Sequence, residues 1–143
     1  MDKDLLAARL NDSEGRRSKL YKDTVGKWTI GVGRNLSDKG LSEDEIDYLL
    51  SNDIRDALLD LDRKFPWWRD LDPVRQLVLA DMSFNLGINK LSGFVNTMRY
   101  IKAGDYKNAS QGMLNSLWAR QVKGRAVELA EMMRTGNLPD ADK

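Results

Sequence analysis

The sequence predicts an α+β fold, mainly helical, in which a small N-terminal antiparallel sheet lobe is joined by a long helix to a larger all-helical lobe. Three observations predict it. Turn residues between strand-like flanks fill residues 17–36. A Ser-x-x-Glu capping box at Ser42 and Glu45 then opens a helical stretch that runs to about Lys64. From Asp72 to Gly136, helix starts and stops follow one another with no strand pattern between them. The chain of 143 residues, 41% apolar, suits one domain able to bury a substantial core. Residues 14–64 read as the sheet lobe with its linking helix, and residues 65–137, together with a helix at 3–13, as the helical lobe.

The elements follow in order. Residues 3–13 form a short amphipathic helix with Leu6 and Leu10 one turn apart and Glu14 one turn further along the same stripe, which turns that acid toward apolar surroundings. A carboxylate in such surroundings has its charged form disfavoured and its pKa raised, as a general acid near neutral pH requires; a helix-terminal glutamate in water would have the same sequence. Tyr21 to Trp28 supplies a turn and sets Asp23 at or beside it. In Trp28-Thr29-Ile30-Gly31-Val32-Gly33, alternation directs Trp28, Ile30 and Val32 to a core face and leaves Thr29, Gly31 and Gly33 on a nearly bare one. A bare face suits a ligand approaching the backbone, although strand glycines also mark bulges.

In the long helix Ile46, Leu49, Leu50, Ile54, Ala57, Leu58 and Leu61 keep helical spacing until Phe65-Pro66 ends it. Asp72-Pro73 caps the next helix, Val74 to Leu86, which is apolar on most sides and reads as the central buried one before Gly87 stops it. Further helices are expected at about Lys90–Ala103, Tyr106–Asn115 and Val122–Arg134, the last stopped by Gly136, with residues 137–143 frayed.

Composition narrows the chemistry. The chain has no histidine and no cysteine, so Ser-His-Asp and Cys-His catalysis are excluded, a zinc site would need carboxylates alone, and carboxylates remain as the strong acid and base groups. Glu14, Asp23 and Thr29 then supply what hydrolysis of a glycosidic bond needs: a proton donor, a carboxylate base and a hydroxyl to hold water. The net charge of +1 divides as −3 over residues 1–72 and +4 over 73–143, a mild bias that lacks the clustered basic helix of a nucleic-acid binder. The N-terminus has no apolar run long enough for a signal or a membrane span, which leads to the expectation of a protein made in the cytoplasm without stable membrane association. No exposed apolar stripe is evident in the sequence, and a monomer is expected.

The order Glu14-Gly15, Tyr21, Asp23, Gly26, Trp28-Thr29-Ile30-Gly31 and Gly33 resembles the lysozymes of tailed bacteriophages, glycoside hydrolase family 24. The resemblance continues through Asp81 to Gly87, Ser92 to Arg99, Trp118, Gly124-Arg125-Ala126 and Arg134-Thr135-Gly136, and covers about residues 5–137. It implies a lysozyme-like fold and, as substrate and partner, bacterial peptidoglycan, cut at the β-1,4 bond between N-acetylmuramic acid and N-acetylglucosamine without a cofactor. It also implies Glu14 as general acid, Asp23 acting opposite it and Thr29 positioning the attacking water. An inverting route follows by analogy, with the carboxyl groups roughly 6.5–9.5 Å apart rather than the about 5–5.5 Å of retaining enzymes.

Arg125 matches an arginine that pairs with the catalytic glutamate across the interface between lobes. Asn85 and Trp118 match cleft-side positions as sugar contacts, and Trp118 reads equally as core. Gly31 and Gly33 complete the substrate-binding set. In one departure, Arg34 stands where many relatives have histidine. The matching partner carboxylate is Asp53, so an Arg34–Asp53 ion pair that persists at alkaline pH is expected.

The role implied is that of an endolysin, accumulating in the host cytoplasm and reaching the periplasmic wall after membrane permeabilisation. A virion wall-cutting domain, a non-catalytic wall-binding relative, a lytic transglycosylase and a small helical DNA-binding regulator are the alternatives.

Overall fold

The computed structural model describes residues 1–139, so the part of the frayed tail beyond 139 lies outside the described residues. The chain divides into two compact units, Met1–Leu49 and Leu50 onward. In the first, α1 (Lys3–Glu14) starts at Asp2, whose side chain accepts the Leu5 N–H at 2.9 Å, and ends at Gly15. The sheet is antiparallel in the order β1 (Arg17–Lys22), β2 (Trp28–Gly31), β3 (Arg34–Asn35). A four-residue helix absent from the sequence expectations, α2 (Leu36–Lys39), follows directly. Asn35 caps it by accepting the Asp38 N–H, and its Ser37 hydroxyl accepts the Trp28 N–H at 2.8 Å. Asp38 also pairs with Lys27 at 3.0 Å, so α2 fastens the base of the β1–β2 turn.

The capping box forms as expected: Glu45 N–H reaches the Ser42 hydroxyl and Ser42 N–H reaches Glu45 Oε1. It opens α3 (Glu43–Lys64). The division between units falls within this helix, and α1 lies on the side of the sheet.

In the second unit, a 3₁₀ turn (Pro66–Asp70) precedes α4 (Pro73–Leu86), whose Asp72 cap and first-turn proline match the sequence reading. This helix buries one side only. Val78, Leu79, Met82 and Ser83 are covered, whereas Leu77 and Phe84 are about half exposed. The single helix expected at 90–103 is two, α5 (Ile88–Ser92) and α6 (Val95–Ala103). Gly93 N–H turns back to the Lys90 carbonyl at 3.0 Å, and Phe94 swings in to meet the Trp118 ring edge-on at 6.3 Å. Then come α7 (Tyr106–Leu114), a short α8 (Leu117–Val122) that had not been anticipated, and α9 (Gly124–Thr135). The break before α9 is Lys123, at φ 50°, so the helix begins two residues later than its apolar pattern suggests.

The core of this unit is rich in methionine. Met82, Met98, Met113, Met132 and Met133 pack with Leu61, Trp68, Leu79, Leu91, Ile101 and Trp118, and these flexible side chains fill the gaps among short helices. The first unit has no comparable core. Thr29 is its one buried residue among those described.

Its integrity rests on polar ties instead, foremost one that corrects the sequence expectation. Arg34 pairs with Glu45, not with Asp53. Its Nη1 donates to Glu45 Oε1 at 2.8 Å and to the Gly40 carbonyl at 3.1 Å, and its Nη2 lies 2.6 Å from Glu45 Oε2. Asp53 stands eight residues further along α3, about 12 Å away at the rise of a helix, and one guanidinium fork cannot serve both. Glu45 is also oriented beforehand by Ser42. These contacts, Arg34 first and the Ser42 N–H second, hold its carboxyl down to about 2.

Because the carboxyl pKa is lowered in the folded chain, the stabilisation is present in full above the ordinary glutamate value of about 4.3 and is lost as pH falls from there toward 2. Arginine stays charged throughout, so Glu45 alone sets this window. Thermal melts of wild type and Glu45→Gln should therefore differ by several degrees at pH 7 and converge near pH 2; a gap unchanged across that range would contradict the pairing.

Candidate active site

Glu14 is the last residue of α1, and its side chain lies over Gly33 in the turn between β2 and β3. A Cβ built on Gly33 would meet Glu14 Oε2 at 3.0 Å and Cδ at 3.2 Å. Gly33 also has φ +69°, so both backbone conformation and space require glycine there. The apolar surroundings expected for Glu14 are not found in the structure. It is exposed, as are Leu6 and Leu10, and no residue of α1 is buried. The stripe is one residue wide and flanked by Lys3, Asp4, Arg9 and Asp12, too narrow to cover the acid.

Asp23 sits in the β1–β2 turn as expected and closes it. Its Oδ1 accepts the N–H groups of Val25 at 3.0 Å and Lys27 at 2.8 Å, while its own N–H reaches the Lys27 carbonyl at 2.9 Å. Among the described residues no donor reaches Oδ2, which is left free for chemistry. Asp23 is partly buried.

Thr29 lies on β2 between these two positions, opposite Tyr21 on β1 and Asn35 on β3. The expected faces are reversed here: Thr29 is buried at 3% exposure and Trp28 is 46% exposed. Trp28 holds its place by stacking under the Lys22 ammonium, 4.9 Å from the ring centre, which gives an aromatic in water a partner. The Thr29 hydroxyl donates to the Lys27 carbonyl at 3.0 Å, leaving its oxygen able to accept. β2 ends at Gly31, so Gly33 belongs to a turn and not to the strand face.

The remaining candidates lie in the second unit. Trp118 is buried, and its indole N–H donates to Asn85 Oδ1 at 2.8 Å. Trp118 is thus a core residue that orients the amide of the exposed Asn85 and leaves the Asn85 Nδ2 hydrogens outward. Within the second unit the Arg125 guanidinium binds Asp81, with Nε donating at 3.0 Å and an Nη alongside. Asp81 on α4 faces the first turn of α9, and its carboxylate takes the fork. The pair lines an open, largely apolar groove of about 280 Å³ with Leu50, Ile54, Leu77 and Phe84, an exposed apolar surface that the sequence reading had not foreseen. Asp81 belongs to the Asp81–Gly87 block that carried the resemblance, and its place one helical turn before Asn85 was the available signal. Glu45 was read only as a cap.

Comparison with known proteins finds a family and several relatives. The family model described as phage lysozyme matches residues 11–134. The chain is 30% identical to the pre-baseplate central spike protein Gp5 of Enterobacteria phage T4, in an alignment that covers 93% of this chain but only 28% of that protein, so it spans little more than a quarter of this relative's length. It is 24% identical to probable T4-type lysozyme 1 of Dictyostelium discoideum over 90% of this chain and 93% of that one. It is 25% identical to probable T4-type lysozyme 2 of the same organism over 92% and 94%.

Two glycines separate the contact with Glu14 from backbone strain. Gly31 and Gly33 both have φ near +70°, but a Cβ on Gly31 meets nothing within 4 Å. Alanine at either position should destabilise by about 1 kcal/mol through strain alone. Gly33→Ala should also displace the Glu14 side chain, so any activity that depends on Glu14 should fall at least tenfold more in Gly33→Ala than in Gly31→Ala, as for a reacting group misplaced by about 1 Å. Turbidity assays paired with thermal melts check this, and equal losses would contradict it.

Proposed function

Since the chain belongs to the phage lysozyme family and is a lysozyme-type glycoside hydrolase, we propose that it hydrolyses the β-1,4 bond between N-acetylmuramic acid and N-acetylglucosamine in bacterial peptidoglycan. Glu14 protonates the leaving oxygen while Asp23 and Thr29 hold a water on the opposite face of the sugar. One observation carries this reading: the two carboxylates belong to opposite ends of β2. Glu14 lies against the turn after the strand, Asp23 closes the turn before it, and Thr29 stands between them. Four strand residues span about 13 Å of backbone, a separation that supports a water between the carboxylates and inversion over direct attack by one of them. The free Oδ2 of Asp23 serves as the base, and the Thr29 oxygen accepts a hydrogen from the same water.

In the organism the reading favoured is an endolysin that accumulates in the host cytoplasm and meets the wall after the membrane is permeabilised. The spike-protein relative motivates a second reading, a wall-cutting module carried by the virion. Detection of the chain in purified particles would favour the second, and its restriction to the soluble lysate the first.

Glu14→Gln should lower clearing of outer-membrane-permeabilised Gram-negative cells by about 10²- to 10⁴-fold with an unchanged melting temperature, the range a positioned general acid contributes. Mass spectrometry of the released glycans should find reducing N-acetylmuramic acid ends. Equal clearing by both proteins would remove Glu14 from its role, and 1,6-anhydro ends would replace hydrolysis with transglycosylation.

A further inference from the structure

Where α8 passes into α9, the chain holds a lysine in a conformation that suits glycine. Lys123 has φ 50° and ψ −111°, a region that a side chain crowds, and every other described residue with positive φ is a glycine. A glycine stands one position later, but Gly124 does not have positive φ and has open space around it, so its freedom falls where the backbone does not need it. Lys123 is exposed, and no burial of its side chain offsets the strain.

Its neighbours show what holds it there. The joint has no linker: the Lys123 N–H closes α8 by donating to the Ala119 carbonyl at 2.9 Å, and the Lys123 carbonyl opens α9 by accepting the N–H groups of Ala126 at 3.0 Å and Val127 at 3.2 Å. Both helices are tied to α4. Trp118 on α8 donates to Asn85 at 2.8 Å, and Arg125 on α9 donates to Asp81 at 3.0 Å. Asp81 and Asn85 are one turn apart, about 6 Å along the helix axis, whereas Trp118 and Arg125 in an unbroken helix would stand about 10.5 Å apart. A sharp turn between them brings both to their partners, and it falls on Lys123. Trp118 and Ala126 are buried on either side of the joint, which keeps both helices from shifting to relieve it.

We infer that the joint is a strained latch. Closure of the Asp81–Arg125 pair holds Lys123 in its unfavourable conformation, and opening of the pair lets Lys123 relax and loosens the Trp118–Asn85 bond at the other end. The exposed amide of Asn85 is thereby oriented by an ion pair one helical turn away. All of these residues lie in the second unit, and the latch does not depend on the hydrolase reading.

A double-mutant cycle on the full chain tests it. Lys123→Gly should raise the melting temperature of wild type by about 3 °C, the scale of a relieved backbone strain in a chain of this length. In the Arg125→Gln background the same change should raise it by no more than about 1 °C, because the strain has already been released. The cycle cancels the freedom that glycine adds to the unfolded chain. Asp81→Asn, which opens the pair from the other side, should behave as Arg125→Gln does. Hydrogen exchange of the Trp118 indole N–H, followed by NMR, gives a second readout: it should quicken about fivefold or more in Arg125→Gln and should not quicken in Lys123→Gly. No gain from Lys123→Gly in wild type, an equal gain with the pair intact and open, or unchanged Trp118 exchange in both pair-opening variants would overturn the latch.

Discussion

The first unit depends on a place where backbone and side chain compete for the same space. At Gly33 the chain turns from β2 toward β3 with positive φ, and Glu14 fills the volume that any side chain on residue 33 would need. The turn therefore does two things with one residue. It permits the reversal that lets β3 pair with β2, and it receives the carboxylate delivered by the end of α1. Nothing in this arrangement needs Glu14 to be buried, and it is not.

Around that contact the unit is held by polar groups in place of a core. Asp23 closes the β1–β2 turn through one oxygen, Glu45 joins its own helix cap to Arg34 and so to β3, and Ser37 and Asp38 fasten α2 beneath the hairpin. Asp23 shows the consequence, since one of its oxygens has a structural duty and the other is free for the proposed chemistry. A unit of this kind is fixed by hydrogen-bond geometry more than by buried area, which suits precise placement of side chains at its surface. The second unit is the opposite, a packed helical body in which even the candidate Trp118 serves the core.

Much of this was legible in the sequence because its signals were local. The capping box, the Asp72-Pro73 helix start, the glycine stops and the turn at Asp23 depend on neighbours a few residues away, and they stand where they were expected. Signals that depend on distant packing were less readable. Alternation assigned Trp28 to a core that the small sheet does not have, so the aromatic stacks with Lys22 in the open and Thr29 is covered instead. The continuous pattern over 90–103 hid a break that Phe94 makes in order to reach Trp118. The Arg34 pairing went to Glu45 and not to Asp53, because a resemblance transfers positions but not the local competition among acids.

In the proposed reading Glu14 and Asp23, at opposite ends of β2, work as a pair in which water, and not Asp23 itself, attacks the sugar. Proton NMR of the first product, recorded before the anomers equilibrate, tests this most directly. Inversion at a β-linked N-acetylmuramic acid should give the α-anomer at the new reducing end, and a β-anomer would contradict the arrangement by requiring a carboxylate close enough to bond to the sugar.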